Sequence, residues 1–198
     1  MAIRFGLIAT AQFAQEIRKS RFIANAAAIA SEQSAVEFLR QVADPGANHN
    51  CWAWRIGQRY RFNDDGEPPG TAGKPILQAI DGQAMDNTMV VVTRWFGGIK
   101  LGAGGLVRAY GGCAAECLRL AEKCELIDIA LVEFTIEFSV LATLRARLQS
   151  LDANIEVEDF HESGATLRVN VPVCNLPALS VLLAALTRGQ SEIRQVDS

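Results

Sequence analysis

The sequence lacks the features of a membrane or secreted protein. It has no run of eighteen apolar residues, which a membrane-spanning helix needs, and no charged start followed by a long apolar core, which a signal peptide needs. None of its five cysteines forms a C-x-x-C pair, and an odd number of cysteines fits a reducing compartment better than a disulfide framework. These absences predict a cytoplasmic protein with no membrane partner.

The sequence also lacks an excess of positive charge. Its formal net charge is −3, which argues against a surface that coats nucleic acid but is compatible with a local basic patch. No serine or lysine stands in the context of a known nucleophile motif. The sequence therefore favours a non-enzymatic protein, and we predict no cofactor.

The most distinctive segment that is present runs from Thr93 to Tyr110 and reads T-R-W-F-G-G-I-K-L-G-A-G-G-L-V-R-A-Y. It follows the β-branched run Met89–Val92, typical of a buried strand, and we expect a helix from Leu106 to Ala121. The segment between them, here called the glycine loop (97–105), lets the backbone approach a ligand closely. A helix start adds unpaired N–H groups and a positive dipole end, so the loop favours an anion.

Charge supports this interpretation, because three cations and no acidic residue occur between positions 87 and 115. The loop is neither a Walker A loop nor a Rossmann fingerprint. The alternative is that its glycines only make a tight turn and allow a helix to pack on the sheet. The predicted nucleic-acid or phosphate-binding residues are Arg94, Gly97, Gly98, Lys100, Gly102, Gly104, Gly105 and Arg108, with Arg108 in the first turn of the helix.

A second segment, the acidic loop (63–75), is too rich in turn residues to be regular. We predict that its polar residues Asp64, Asp65, Glu67 and Lys74 lie near the glycine loop in one cleft. The three carboxylates could hold Mg²⁺, although Asn-Asp-Asp-Gly is also ordinary turn chemistry, so the sequence leaves a metal site open. Pro75 suits the first position of the helix that follows.

His49 and Cys51 lie on one face of a strand predicted over 49–57 and could form a thiolate–imidazole pair. Without a third orienting group, a structural histidine and a buried cysteine are favoured. Cys113, Cys117 and Cys124 are likewise interpreted as buried small hydrophobic residues.

The residue pattern changes at Leu126: glycine-rich segments precede it, and a regular alternation of apolar and polar residues follows it. The segments that follow have the order β-α-β-β-α-β, the ferredoxin-like pattern, with Ser139 and Asn175 as helix caps. We therefore predict an α+β protein of two domains. Residues 1–125 carry the glycine loop, and residues 126–198 form the ferredoxin-like domain.

Three segments, at 48–57, 63–75 and 93–110, resemble the IMPACT family, and the full length resembles its bacterial YigZ type. The resemblance implies a first domain with the β/α fold shared by a small-subunit ribosomal protein, GHMP kinases and domain IV of elongation factor G. It implies a ferredoxin-like second domain similar to domain III or V of that factor. The ribosomal protein and the elongation factor act on RNA or the ribosome, and the eukaryotic relative of the family is implicated in translational control.

The leading functional hypothesis is therefore a non-enzymatic RNA- or ribosome-associated protein, a candidate translation regulator. Its glycine loop would hold backbone phosphate, and Trp95, Phe96 or Tyr110 could stack a base, although core packing is favoured for Phe96. One alternative is a phosphate-handling enzyme that uses a divalent ion at Asp64, Asp65 and Glu67. Another is a protein–protein adaptor, for which a protein partner is expected.

Overall fold

The computed structural model describes residues 3–196, which form two compact units, the first ending at Leu126 and the second beginning at Ile127. The elements of the first unit are β1 (Phe5–Leu7), β2 (Ala11–Ile17), β3 (Ser20–Ala28), α1 (Glu32–Val42), β4 (His49–Ile56), β5 (Arg59–Asn63), α2 (Gly73–Gly82), β6 (Thr88–Trp95), α3 (Ala103–Leu120) and β7 (Lys123–Glu125). Those of the second are β8 (Ile129–Glu137), α4 (Phe138–Leu148), β9 (Asn154–His161), β10 (Gly164–Pro172), α5 (Leu176–Thr187) and β11 (Arg194–Gln195), with short 3-10 turns at Gln149–Leu151 and Val173–Asn175. No helix among residues 3–196 is long and apolar enough to cross a membrane.

The main sheet of the first unit is antiparallel and has the strand order β2-β3-β6-β4-β5. Its central strand, β6, is buried on both faces. Val90 and Val92 pack in the core cluster that contains α2 and α3, while Met89 and Val91 pack in the cluster that contains α1. The continuous apolar run in the sequence is explained by this double burial.

The alternation predicted for β4 is confirmed, and both of its faces are covered. Trp54 packs in the α1 cluster, whereas Cys51 and Ala53 are fully buried in the cluster of α2 and α3. Small side chains on that face allow the helices to lie close to the sheet. The two helices also meet closely, since a Cβ on Gly111 of α3 would lie 3.4 Å from Pro75 of α2.

Helix starts differ from the sequence prediction in two places. Helix α3 begins at Ala103 rather than Leu106, because Gly102 takes the N-cap position at φ 72° and turns the chain into the helix. Gly104 and Gly105 therefore lie inside the first turn, and Arg108 belongs to the second turn. Helix α2 begins at Gly73, two residues before Pro75.

The second unit has one antiparallel sheet of order β11-β8-β10-β9, and its elements follow the predicted order β-α-β-β-α-β. Strand β8 pairs with β10 and β11, within its own unit. Leucines of α4 and α5, among them Leu144 and Leu179, share one core cluster with alternate residues of the strands. Apolar alternation with period two and leucines at helical spacing produce this core.

Both predicted caps of the second unit are corrected by the structure. Ser139 lies inside the first turn of α4, and Glu137 occupies the N-cap position. Asn175 stands at the N-cap of α5, but its side chain donates to the carbonyl oxygen of Leu151 instead of an α5 amide. Because α5 continues directly from a 3-10 turn, Asn175 already has helical dihedral angles and cannot fold back as a cap.

Candidate phosphate-binding site

The end of β6, the glycine loop and the start of α3 enclose a cavity of about 370 Å³. Its lining residues are Asn48, His49, Glu67, Pro68, Arg94, Phe96, Lys100, Leu101, Gly102, Ala103 and Leu106. The cavity thus joins Glu67 of the acidic loop to Arg94, Lys100 and Gly102. Asp64, Asp65 and Lys74 do not line it.

Arg94 and Glu67 form a buried ion pair in the cavity wall. Arg94 leaves β6 on the same face as Val90 and Val92 and is only 5% exposed. Its Nη1 donates to Glu67 Oε1 at 2.5 Å, and its guanidinium lies 5.5 Å from the ring centre of Phe22. Glu67 therefore balances the charge of Arg94, and a phosphate-binding role of Arg94 stays a prediction. Within residues 3–196, the buried Nε of Arg94 has no hydrogen-bond acceptor.

Tyr110 is part of the same buried cluster. Its hydroxyl donates to Glu67 Oε1 at 2.7 Å, and its ring meets Phe22 edge to face. Burial, together with the nearby Cys51 and Glu67, raises the pKa of Tyr110, so the phenol stays protonated. Tyr110 is fully buried and cannot stack a base.

The exposed aromatic residue of the site is Phe96, which is 45% exposed. The sequence-based preference for core packing of Phe96 is therefore wrong, since the chain has already left the sheet at that position. Trp95 is half-buried, with the guanidinium of Arg21 5.1 Å from its ring centre.

His49 faces the cavity with a defined hydrogen-bonding state. Its Nδ1 lies 2.7 Å from the carbonyl oxygen of Asp65, and because a carbonyl only accepts, Nδ1 carries the proton. Its Nε2 lies 3.8 Å from Glu67 Oε1. Cys51 does not pair with it, because its thiol donates to the carbonyl oxygen of Asp64. Burial raises the pKa of Cys51 to about 12, so no thiolate–imidazole pair forms at neutral pH. Of the other cysteines, Cys113 and Cys117 are buried as predicted, whereas Cys124 is exposed.

Asp64 and Asp65 organise the acidic loop through the backbone. Asp64 Oδ1 accepts from the amides of Ala72 at 3.0 Å and Gly73 at 2.8 Å, and its Oδ2 accepts from the amide of Gly70 at 2.8 Å. Asp64 thereby satisfies amides at the start of α2, which has no side-chain cap of its own. Asp65 Oδ2 accepts from the amide of Asn50 at 2.6 Å.

These bonds disfavour the divalent-ion alternative, because two of its three proposed carboxylates are engaged by backbone amides and Glu67 is engaged by Arg94. Among residues 3–196, no group of three His, Cys, Asp or Glu side chains has the geometry of a metal site. Lys74 is exposed on α2.

The glycine loop divides into a structural part and an exposed part. A Cβ on Gly97 would lie 1.8 Å from the carbonyl oxygen of Lys19, so Gly97 is needed for this close approach of the β2–β3 turn. Gly98, Lys100, Gly102 and Gly104 are exposed, and Gly105 is partly exposed. Arg108 is also exposed, and its Nη1 would lie 3.8 Å from a Cβ on Gly104, so its side chain reaches back to the first turn.

The start of α3 is electrostatically suited to an anion. The amides of Ala103, Gly104 and Gly105 precede the first intrahelical bond, from the amide of Leu106 to the carbonyl of Gly102. The N-cap glycine provides no side-chain acceptor, and the first turn has no acidic residue. With Arg94 balanced by Glu67, Lys100 supplies the net charge of the cavity wall.

Fold and site together define an α+β protein of two units, in which a basic glycine loop at a helix start lies over a buried Glu–Arg pair. Residues 18–118 match the family model of the Impact N-terminal domain, and residues 134–190 match that of a domain of unknown function, DUF1949. The chain therefore belongs to the IMPACT family, as its three sequence segments predicted.

Relatives match nearly the full length. An IMPACT family member from Thermus thermophilus is 45% identical over 176 residues, which cover 88% of this chain and 97% of that protein. The IMPACT family member YigZ of Escherichia coli is 36% identical, with 92% of this chain and 93% of that protein covered. A crystal structure described only as that of a hypothetical protein has a TM-score of 0.68 and 34% identity, covering 100% of this chain and 99% of its own.

Proposed function

We propose that this protein binds RNA, free or in the ribosome, by holding a backbone phosphate at the start of α3, and that it does so without catalysis. The observation that carries the proposal is the exposed, glycine-built start of α3, which opens into the same cavity as Lys100 and the buried Arg94. Backbone amides and the helix dipole favour a phosphate at such a position.

Two further features support a phosphate ligand. Arg108 near the positive end of a helix is unfavourable by itself, and its return toward Gly104 is favourable once an anion lies there. The exposed ring of Phe96 at the cavity edge offers a surface on which a base can stack.

The family resemblance implies folds similar to those of a small-subunit ribosomal protein and of domains of elongation factor G, and this implied likeness supports a role on RNA at the level of fold only. A role in translational regulation and a cytoplasmic location belong to this proposal. All five cysteines are free thiols, which fits a reducing compartment.

The test is the affinity for a fluorescent single-stranded RNA, measured by anisotropy across a salt series. We expect the double variant Lys100→Ala and Arg108→Ala to bind more weakly, with a salt slope lower by about one unit per lost phosphate contact. The matched control, Arg40→Ala with Arg147→Ala, removes two exposed charges outside the site, at the ends of α1 and α4.

The control should keep the affinity and slope of the natural sequence. If the Lys100 and Arg108 variant folds normally and also keeps both, the glycine loop has only a structural role. Equal losses in the two double variants would indicate attraction by overall charge instead of a site.

A further inference from the structure

We propose that the cavity beside α3 binds one ribonucleotide through its free 2′,3′-diol, with His49 and Glu67 as the acceptors. The inference rests on the proposed function, because it assumes a phosphate at the start of α3. The diol is the part of the ligand that would bind in the cavity beside this phosphate.

The first step is the relation between His49 and Glu67. With Nδ1 bound to the carbonyl of Asp65, a neutral imidazole presents a lone pair at Nε2, and Glu67 presents a carboxylate. The 3.8 Å between Nε2 and Glu67 Oε1 is too long for a direct hydrogen bond in either protonation state of the imidazole. The Nε2 lone pair and the Glu67 carboxylate, facing each other at this distance, suit a ligand that brings two donors.

Glu67 has one carboxylate oxygen, Oε2, that can accept a hydrogen bond from a ligand. Both hydrogen bonds to its side chain, from Arg94 and Tyr110, end on Oε1. No group within residues 3–196 donates to Oε2, although the residue is only 7% exposed and lines the cavity. A carboxylate oxygen that has no donor among the described residues, on a side chain that lines the cavity, is available to a ligand that supplies one.

The third step is the choice of a diol. Adjacent hydroxyls of a ribose can each donate to one of two neighbouring acceptors, and a carboxylate that accepts from ribose hydroxyls is a common solution in nucleotide-binding proteins. An isolated hydroxyl has one proton and cannot serve both acceptors. The pair therefore selects a ribose whose 2′- and 3′-hydroxyls are both free.

The fourth step is the fit of the remaining nucleotide. The volume of about 370 Å³ lies within the range of small-ligand sites and suits a single nucleotide. Phe96, Leu101 and Leu106 supply an apolar wall for the base, and Gly102 and Ala103 at the start of α3, where we propose the phosphate, line the same cavity.

A 5′-phosphate joined to a ribose with a free diol occurs in two sources, the 3′ end of RNA and a free nucleoside monophosphate. The experiment compares 5′-labelled RNA oligonucleotides of one sequence that end in a ribose diol, a 2′-deoxyribose or a 3′-phosphate. Adenosine 5′-monophosphate is titrated separately and as a competitor.

We expect the diol end to bind about tenfold more tightly than the two others, since hydrogen bonds to charged groups contribute most. Binding of the oligonucleotide with no competition by the monophosphate assigns the site to RNA ends. Binding of the monophosphate alone keeps the diol site and removes the RNA function. Equal, salt-sensitive affinity for all three ends would overturn the diol inference and leave phosphate binding standing, and no binding of any probe would overturn both.

The variant His49→Ala separates recognition from a merely structural effect. It should bring the affinity for the diol end close to that for the 2′-deoxy end, because without His49 only one hydroxyl of either end finds an acceptor, and the diol end should lose more affinity than the 2′-deoxy end. A structural role of His49 would weaken both ends alike and would refute the assignment. The control His161→Ala changes the other histidine, which is exposed in the second unit, and should keep the full preference.

Discussion

The two units handle charge in opposite ways. All seven buried polar or charged residues within 3–196 lie in the first unit: Ser20, Glu67, Thr71, Asp86, Thr88, Thr93 and Arg94. The ion pairs of the second unit, Arg145–Glu158 and Arg168–Glu133, lie at its surface. Taking two charges out of water is costly even when they are paired, so the first unit bears a desolvation cost that the exposed pairs of the second unit avoid.

The unit with the buried charges does not have the larger cavity. The second unit has a larger cavity, about 520 Å³, and five of its twelve lining residues carry a hydroxyl group. Its charged wall residues Glu137 and Arg188 are exposed to water. The smaller cavity of the first unit has a buried carboxylate and a buried guanidinium, which interact more strongly with a ligand in a low-dielectric wall. This difference supports the proposed site in the first unit.

The largest expected effect tests the buried pair directly. Glu67→Gln leaves Arg94 buried without a counter-ion, so we expect a loss of about 3–5 kcal/mol in the free energy of unfolding. The matched change in the second unit, Glu158→Gln, should leave the free energy of unfolding nearly unchanged, because water screens that exposed pair. Urea titration followed by tryptophan fluorescence reports the first unit, which contains Trp52, Trp54 and Trp95, and circular dichroism reports both. Equal losses of unfolding free energy in the two variants would contradict the difference we infer between the buried and the exposed ion pair.

A second prediction concerns acid. Burial alone would raise the pKa of Asp86, but the amides of Gly57 and Asn87 and the guanidinium of Arg4 outweigh it and lower the pKa. Because the pKa is lower in the folded state, the stabilisation is complete above the unfolded pKa, about 3.9, and is lost as pH falls through the folded value.

The first unit should therefore lose stability below about pH 4. Asp86→Asn should flatten that dependence and cost about 2 kcal/mol at neutral pH, as a buried charged hydrogen bond is lost. The measurement is tryptophan-monitored urea unfolding at several pH values, with Glu133→Gln of the second unit as the control. An unchanged acid limb in the Asp86 variant would contradict the assignment.

The smallest expected effect distinguishes two neighbouring glycines in α3. A Cβ on Gly112 would meet no atom within 4 Å, so Gly112→Ala should stabilise the first unit by about 0.5–1 kcal/mol. Gly111→Ala should gain less, because its Cβ would lie 3.4 Å from Pro75. Thermal unfolding of the two variants side by side tests this, and a larger gain at position 111 would refute it.

Part of the fold and of the candidate site in the first unit can be predicted from the sequence alone. Alternation predicted β4 and the apolar run predicted β6, because local periodicity determines which side chains are buried. The same periodicity contains the signal for Arg94, which follows Val90 and Val92 at intervals of two, and for Tyr110, which follows Leu106 by one helical turn. Their burial could have been predicted from these spacings.

The partner of Arg94 had no such signal. Glu67 is 27 residues away in an irregular loop, and its position depends on the bonds that Asp64 makes. The free Nε2 of His49 likewise depends on a backbone carbonyl in that loop. Tertiary pairing between a strand and a loop leaves no period in the sequence, so these contacts required the structure.

The hydrogen bonds of Asp64 constrain the length of the acidic loop. Its carboxylate accepts hydrogen bonds from the backbone amides of residues that lie six, eight and nine positions further along the chain. One inserted or deleted residue would move at least one of these amides out of reach, whereas exposed side chains such as that of Pro69 do not take part in the bonds. We therefore expect the number of residues between this aspartate and α2 to be constant among relatives that keep it, even where side chains other than those of Glu67 and of Gly66 and Gly70, which have positive φ, differ.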